Sequence, residues 1–130
     1  MMEIRFEGRV AIVTGAGNGL GRAHAMGLAA RGAKVVVNDL SLDTAQKVAD
    51  EINRAGGEAI ALAANVADVD QVNQTVAKTM EHWGRIDILV NNAGILRDKT
   101  FAKMDMSDFR LIVDVHLMGS VYFSKAVWDI

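Results

Sequence analysis

Short apolar runs alternate along the chain with longer stretches in which apolar residues recur every three or four positions. Arg9-Val-Ala-Ile-Val-Thr-Gly15 is apolar without alternation and is cut off by glycine, which predicts a strand buried on both faces. From Gly19 to Arg31, Leu20, His24 and Leu28 stand among the small Ala23, Ala25, Ala29 and Ala30, a helix that can pack close to a sheet and is stopped by Arg31-Gly32. Lys34-Val-Val-Val-Asn38 predicts a second strand. Leu42, Ala45, Val48, Ala49 and Ile52 follow at helical spacing, with Ser41 as N-cap and Gly56-Gly57 as the stop. Glu58-Ala-Ile-Ala-Leu-Ala63 is a third strand, and Val72, Val76, Thr79 and Met80 mark a helix entered near Asp68 or Asp70 and ended by Gly84. Ile86-Asp-Ile-Leu-Val90 is a fourth strand, closed by Asn-Asn-Ala-Gly94. A polar loop then runs to about Met106, and Ser107 is the expected N-cap of a last helix. Strict β-α alternation with short links predicts an α/β fold with a parallel sheet and right-handed crossovers.

Composition narrows the classes. At 130 residues, 51% apolar and 23% charged, the chain fits one globular domain or part of one. A formal net charge of -2 leaves no basic footprint for nucleic acid. The absence of Cys excludes a disulfide framework or a thiolate zinc site and fits a cytoplasmic location. No apolar run has the length of a membrane helix, and the charged start, Met-Met-Glu-Ile-Arg-Phe-Glu-Gly-Arg, does not read as a secretory signal. There is no Pro, so Gly supplies nearly all the backbone punctuation. The last residues, Val-Trp-Asp-Ile130, fall inside an apolar periodic segment without a stop signal.

Thr14-Gly15-Ala16-Gly17-Asn18-Gly19-Leu20-Gly21 places a glycine cluster between the first strand and the first helix. Glycine lets a ligand approach the backbone, and a helix N-terminus offers free N–H groups and partial positive charge to a diphosphate. A plain Gly-rich turn is the competing explanation, but strand, cluster and helix stand in the order that diphosphate binding needs. The spacing is not G-x-G-x-x-G, because the third position falls on Leu20 or Arg22. T-G-x-x-x-G-x-G fits; so does a G-x-G-x-G count, which keeps a methyltransferase using S-adenosylmethionine open. Asp39 ends the second strand, where a carboxylate can accept hydrogen bonds from an adenosine ribose. A 2′-phosphate there would meet a like charge, about 4 kcal/mol at 4 Å and an effective dielectric of 20, which favours NAD over NADP. Capping of a turn or helix is the plainer role for Asp39.

The T-G-x-x-x-G-x-G spacing, with Asn91-Asn92-Ala93-Gly94 after the fourth strand and Asn65-Val66 after the third, resembles the short-chain dehydrogenase/reductase family over essentially the whole chain. That resemblance implies a Rossmann-type doubly wound parallel sheet, here its N-terminal portion of about four strands. It also implies that Gly15, Ala16, Gly17, Asn18, Gly19, Leu20 and Gly21 cradle the diphosphate of NAD and that Asp39 holds its ribose. Asn65 and Val66 would border the adenine, and Asn92, Ala93 and Gly94 would line the cofactor. Ile95-Leu-Arg-Asp-Lys-Thr-Phe101 and Val115-His116-Leu-Met-Gly-Ser120 are similar to the (3R)-hydroxyacyl-CoA dehydrogenase units of peroxisomal multifunctional enzymes and their bacterial relatives. Most of the family has Asn where this chain has His116, in a catalytic Asn-Ser-Tyr-Lys set. His116 is therefore a candidate near the proton relay, against the plainer role of a packed helix residue.

The family's chemistry needs a Tyr with a Lys four residues later, the cation easing ionisation of the phenol, and a Ser on the carbonyl. The one Tyr here, Tyr122, has Lys125 only three residues on, in the wrong segment, and is expected on the helix surface or at an interface. Ser120 and Ser124 lie in the same segment with equally weak claims. The chain thus reads as the cofactor-binding portion of an NAD-dependent oxidoreductase acting on a small secondary alcohol or ketone, with a 3-hydroxyacyl or 3-oxoacyl thioester as the substrate guess and the catalytic Ser and Tyr expected beyond Ile130. The alternatives are a non-catalytic nucleotide-binding fragment or pseudoenzyme and, behind it, the methyltransferase. No metal, nucleic acid or membrane is expected. The last helix, Phe109 to Val127, is apolar on more than one face (Phe109, Ile112, Val113, Leu117 on one; Leu111, Val115, Met118, Tyr122 on another) and is expected to join homo-oligomers.

Overall fold

The structure, a computed structural model, describes residues 2–130. Strands β1 (Val10–Val13), β2 (Lys34–Asp39), β3 (Glu58–Ala63) and β4 (Ile88–Val90) alternate with helices α1 (Gly19–Ala30), α2 (Leu42–Arg54) and α3 (Val69–Trp83). A 3-10 turn at Phe101–Lys103 leads to α4 (Met106–Val113), a π-helical turn at Asp114–Met118 and α5 (Gly119–Val127). The sheet is parallel throughout in the order β3-β2-β1-β4, with Val10 beside Lys34 and Ala11 beside Ile88. After β3 the chain crosses back to the far side of β1, so strand order reverses between β1 and β4. Such reversals open a crevice at the carboxyl ends of the strands.

Both faces of the sheet are covered, which is why its strands are apolar without alternation. On one face Val13, Val35 and Val37 meet Ala25 and Ala29 of α1 and Val48 and Ile52 of α2. On the other, Ile12 and Val36 meet Val72 and Val76 of α3 and Phe123 of α5. Phe123 is fully buried, worth about 1.5–3 kcal/mol as area removed from water. Gly21, Ala25 and Ala29 form the inward stripe of α1, while Leu20 and His24 face solvent. The small stripe, not the large residues, sets the close approach.

The expected punctuation holds at two helices. Ser41 Oγ accepts the Thr44 N–H at 3.4 Å, and Asp68 accepts from the N–H groups of Asp70 and Gln71. Gly84 closes α3 at a φ of 75°. Elsewhere the structure corrects the sequence reading. Asp105, not Ser107, occupies the cap position of α4 and makes no side-chain cap bond; Ser107 already lies inside the helix. The fourth strand begins at Ile88 rather than Ile86; at Asp87 the Val10 N–H is taken by the side-chain Oδ2 at 2.8 Å instead of by a backbone carbonyl. The last helix starts before Phe109 and is broken in phase by the π-helical turn. Tyr122 is only partly at the surface: it packs, half-buried, against the Ile12–Val36 core, as does Val115. Among the described residues no helix is long and apolar enough to cross a membrane.

Candidate functional site

The crevice between the carboxyl ends of the strands is a cavity of about 270 Å³, bounded by the first glycine loop, the end of β2, the turn after β3 and the segment after β4. Gly15, Asn18, Asp39, Asn65, Val66, Ala93 and Gly94 line it, whereas Ala16, Gly17, Gly19, Leu20, Gly21, Asn92 and His116 stand outside its lining. A roomier cleft of about 430 Å³ lies at the opposite end of the sheet beside Arg5, Lys34 and Glu58. Its charges are paired: Lys34 Nζ is 4.0 Å from Glu58, and Arg5 pairs with Glu3 and Glu7 outside the cleft lining.

The first wall is the loop from Thr14 to Gly21. Thr14 is buried, and its Oγ1 accepts the N–H groups of Asn92 and Ala93, each at 3.0 Å. Asn92 Nδ2 donates back to the carbonyls of Thr14 at 3.0 Å and Gly15 at 3.1 Å. The two loops are therefore clasped side by side. A Cβ on Gly15 would lie 2.8 Å from Ala93 Cα, and one on Gly21 would overlap the Gly15 carbonyl and the Asn92 amide. These glycines let the loops touch. Gly19 has a φ of 55° with open space where a side chain would stand, and Leu20 beside it is exposed. Ala16 is buried, and its N–H is held by the Asn38 carbonyl at 2.7 Å.

Helix α1 begins at this loop with Asn18 in the cap position, yet no side chain caps it and its first turn carries no acid. By contrast α2 and α3 are capped by Ser41 and Asp68 and carry Asp43 and Asp70 in their first turns. The N–H groups and the positive end of the α1 dipole are left for an anion approaching over the glycines.

Asp39 stands at the rim, half-buried. Its Oδ2 accepts the Gly17 N–H at 2.9 Å and its Oδ1 accepts the Leu40 N–H at 2.8 Å. The capping role and the ribose role are compatible, since an ionised carboxylate has about four acceptor sites and two are used. Gly17 is needed here, because a Cβ would stand 2.6 Å from that oxygen. Asn65 spends its side-chain oxygen on the Ala67 N–H at 2.9 Å, which leaves its NH₂ for a ligand. The Val66 side chain is buried under α5, where a Cβ on Gly119 would lie 2.7 Å from it.

His116 lies in the π-helical turn, its ring over Gly94, where a Cβ would stand 2.6 Å from Cε1. The ring is solvent-exposed and bonds to the backbone of Ile95. Ser120 Oγ donates to the His116 carbonyl at 2.9 Å, and Ser124 Oγ accepts from Asn91 at 3.2 Å, so both hydroxyls have structural partners. Two further polar residues belong to the site. Thr14 is the clasp just described. Asn38, buried, donates to the Leu62 carbonyl at 3.0 Å while its Oδ1 has no hydrogen-bond partner. The signal for Asn38 was a polar residue ending an otherwise apolar, doubly buried strand.

Residues 9–130 match the family described as short chain dehydrogenase. The chain is 47% identical to the mouse peroxisomal multifunctional enzyme type 2, covering 97% of this chain and 18% of that protein. It is 48% identical to a 3-oxoacyl-[acyl-carrier-protein] reductase of Synechocystis, covering 92% of this chain and 49% of the reductase. A crystal structure of a short chain dehydrogenase from Mycobacterium avium superposes with a TM-score of 0.89 at 48% identity, covering 92% of this chain and 45% of that one. The chain thus spans about half, or less, of the relatives it matches.

Proposed function

The chain belongs to the short chain dehydrogenase family, and we propose that its 130 residues form the cofactor-holding part of an NAD(H)-dependent oxidoreductase. Membership in that family removes the methyltransferase alternative. The observation that carries the choice of cofactor is the Asp39 carboxylate at the cavity rim, bonded to Gly17 N–H and followed by Leu40, Ser41 and Leu42 with no basic residue. NAD would supply hydride acceptance or donation at its nicotinamide. The chain's own residues bind and orient it. The glycine loop and the uncapped start of α1 would take the diphosphate, Asp39 the ribose, Asn65 and Val66 the adenine side, and Asn92, Ala93 and Gly94 the cavity wall. These residues suit the group: a diphosphate would meet a helix end with no competing acid, and ribose hydroxyls would meet a carboxylate with acceptor sites to spare.

The substrate class we propose is a 3-hydroxyacyl or 3-oxoacyl thioester, in keeping with the reductase among the relatives. Residues 1–130 would serve as a domain portion that supplies the cofactor site and not the proton donor, since Tyr122 has no Lys four residues on and is packed against the core. His116 would act on the cavity wall rather than on the reacting atoms. Self-association through α4 and α5 belongs to the same reading. For location, the cytoplasm rests on the Cys-free composition, whereas the multifunctional relatives carry "peroxisomal" in their names. The second reading, a nucleotide-binding chain without turnover, is favoured by the structural use of Ser120 and Ser124.

Titration with NADH and NADPH tests the assignment. NADH should bind more tightly, and Asp39→Ala should weaken NADH and narrow the difference; equal affinities in the unmutated chain would overturn it. Assayed with NADH and a 3-oxoacyl thioester, this chain alone should turn over nothing, because a positioned proton donor typically supplies about 10²–10⁴ in rate.

A further inference from the structure

His116 Nε2 sits 3.0 Å from the Ile95 amide nitrogen and 2.9 Å from the Ile95 carbonyl oxygen. One imidazole nitrogen either carries a proton or does not, so it can accept from the N–H or donate to the C=O, but not both. We propose that His116 is a proton-linked latch on the cavity wall: with Nε2 bare it holds Ile95 by its N–H, and with the ring protonated it releases that N–H and holds the carbonyl. The two bonds fall on different peptide groups, Gly94–Ile95 and Ile95–Leu96. Both groups lie within reach of Nε2, so the exchange changes which peptide group is bonded beside Gly94 and Ile95, where the backbone lines the cavity. The consequence for ligand affinity rests on the dinucleotide reading of that cavity; the latch itself does not.

Three features make the exchange possible in place. The ring is exposed, so protons reach it without unfolding. Gly94 has no side chain to wedge the ring, which lies against bare backbone. The π-helical turn fixes the His116 backbone, with Ser120 Oγ on its carbonyl, so the movable partner is the loop. The charged residues on the two elements that meet here are Asp114 on the turn and Arg97, Asp98 and Lys99 on the loop. Arg97 lies 4.0 Å from Asp108 of α4, and none of these charges is bonded to the imidazole. An amide at the same place has both a donor and an acceptor and would not have to choose.

The test is nitrogen-15 NMR of the chain from about pH 5 to about pH 8, the span in which imidazoles change charge. The expected result is a neutral ring protonated on Nδ1, with the Ile95 amide signal moving at the same midpoint as the ring. In His116→Gln and His116→Asn the Ile95 amide should stay still over that range; two variants guard against one that folds poorly. NADH affinity, followed in parallel, should change about two- to tenfold across the midpoint in the unmutated chain, the size of one modest hydrogen bond, and stay flat in the variants. A neutral ring protonated on Nε2, or an Ile95 amide indifferent to the ring, overturns the latch. Loss of all NADH binding with the Ile95 amide still tracking the ring would sink the cofactor assignment and leave the latch supported.

Discussion

Thr14 and Asn92 hold each other reciprocally: the Thr14 hydroxyl accepts the Asn92 N–H at 3.0 Å, and the Asn92 side chain donates to the Thr14 carbonyl at 3.0 Å. Through this pair the ends of β1 and β4, neighbours in the sheet but far apart in sequence, present one continuous wall to the cavity. Thr14→Val keeps the shape, leaves the Ala93 N–H without its acceptor, and leaves the Asn92 N–H only the Val90 carbonyl at 3.0 Å. Destabilisation of about 1–3 kcal/mol is expected, with Thr14→Ser recovering most of it. Urea unfolding measures this, and a Thr14→Val chain as stable as the unmutated one would show that water replaces the hydroxyl.

Two glycines in one helix should respond to alanine with opposite signs. Gly21 is buried against the Gly15 carbonyl and the Asn92 amide, so a methyl group must push the clasp apart, a loss of about 1–3 kcal/mol. Gly27 lies in the interior of α1 with nothing nearer than 4.0 Å to the added carbon. There Gly→Ala should stabilise by about 0.5–1 kcal/mol through helix propensity. Thermal melts of Gly21→Ala and Gly27→Ala moving in the same direction would contradict this account of the loop contact.

The fold was legible where burial on both faces writes a continuous apolar run, as in Lys34-Val-Val-Val-Asn38, and where a cap residue stands alone, as Ser41 does. Ser107 misled because the helix begins at Met106 after an Asp105 that makes no side-chain cap bond, so a capping side chain does not mark this start. The π-helical turn was hidden, since side-chain spacing assumes a uniform period, yet it left a trace. The apolar residues of this segment fall on two faces because the phase shifts at Asp114–Met118: Val115, Tyr122 and Phe123 go to the core, while Phe109, Leu111 and Leu117 stay exposed. At the site, the glycine loop and Asp39 were readable because their chemistry is local. The Thr14–Asn92 clasp and the His116–Ile95 contact join residues distant in sequence and depend on the sheet order.

Exposed apolar residues along α4 and α5 predict self-association. Phe109, Leu117, Val121 and Trp128 all face solvent, Trp128 with 77% of its surface open. Leu117→Asp places a charge in that face without touching the core. If α4 and α5 bury this surface against a second copy, the substitution should weaken association about tenfold or more, the loss of roughly 1.5–3 kcal/mol of apolar burial. Sedimentation over a concentration series reads it; a monomer at every concentration in the unmutated chain would remove the premise.

Asp87 predicts how stability changes in acid. Its carboxylate is held below the usual range first by the hydrogen bond from Arg85, with further help from the Val10 N–H and against the opposing effect of burial. Oδ2 accepts from Val10 at 2.8 Å while the Asp87 N–H donates to the Val10 carbonyl at 2.8 Å, so the residue pins the start of β1 to the chain entering β4. A depressed folded value means that the unfolded chain takes up the proton first. The stabilisation is therefore complete above about pH 4, the ordinary Asp range, and is lost as pH falls through the lower folded value. The Asp87 side chain keeps 22% of its surface open and its partner Arg85 is exposed, so the effect should be small and should shrink further in high salt. Asp87→Asn keeps an acceptor for Val10 but cannot titrate. Its urea midpoint should fall less between pH 7 and about pH 3 than that of the unmutated chain, and equal falls in the two would assign the acid sensitivity to other carboxylates such as Glu7, which Arg5 holds low in the same way.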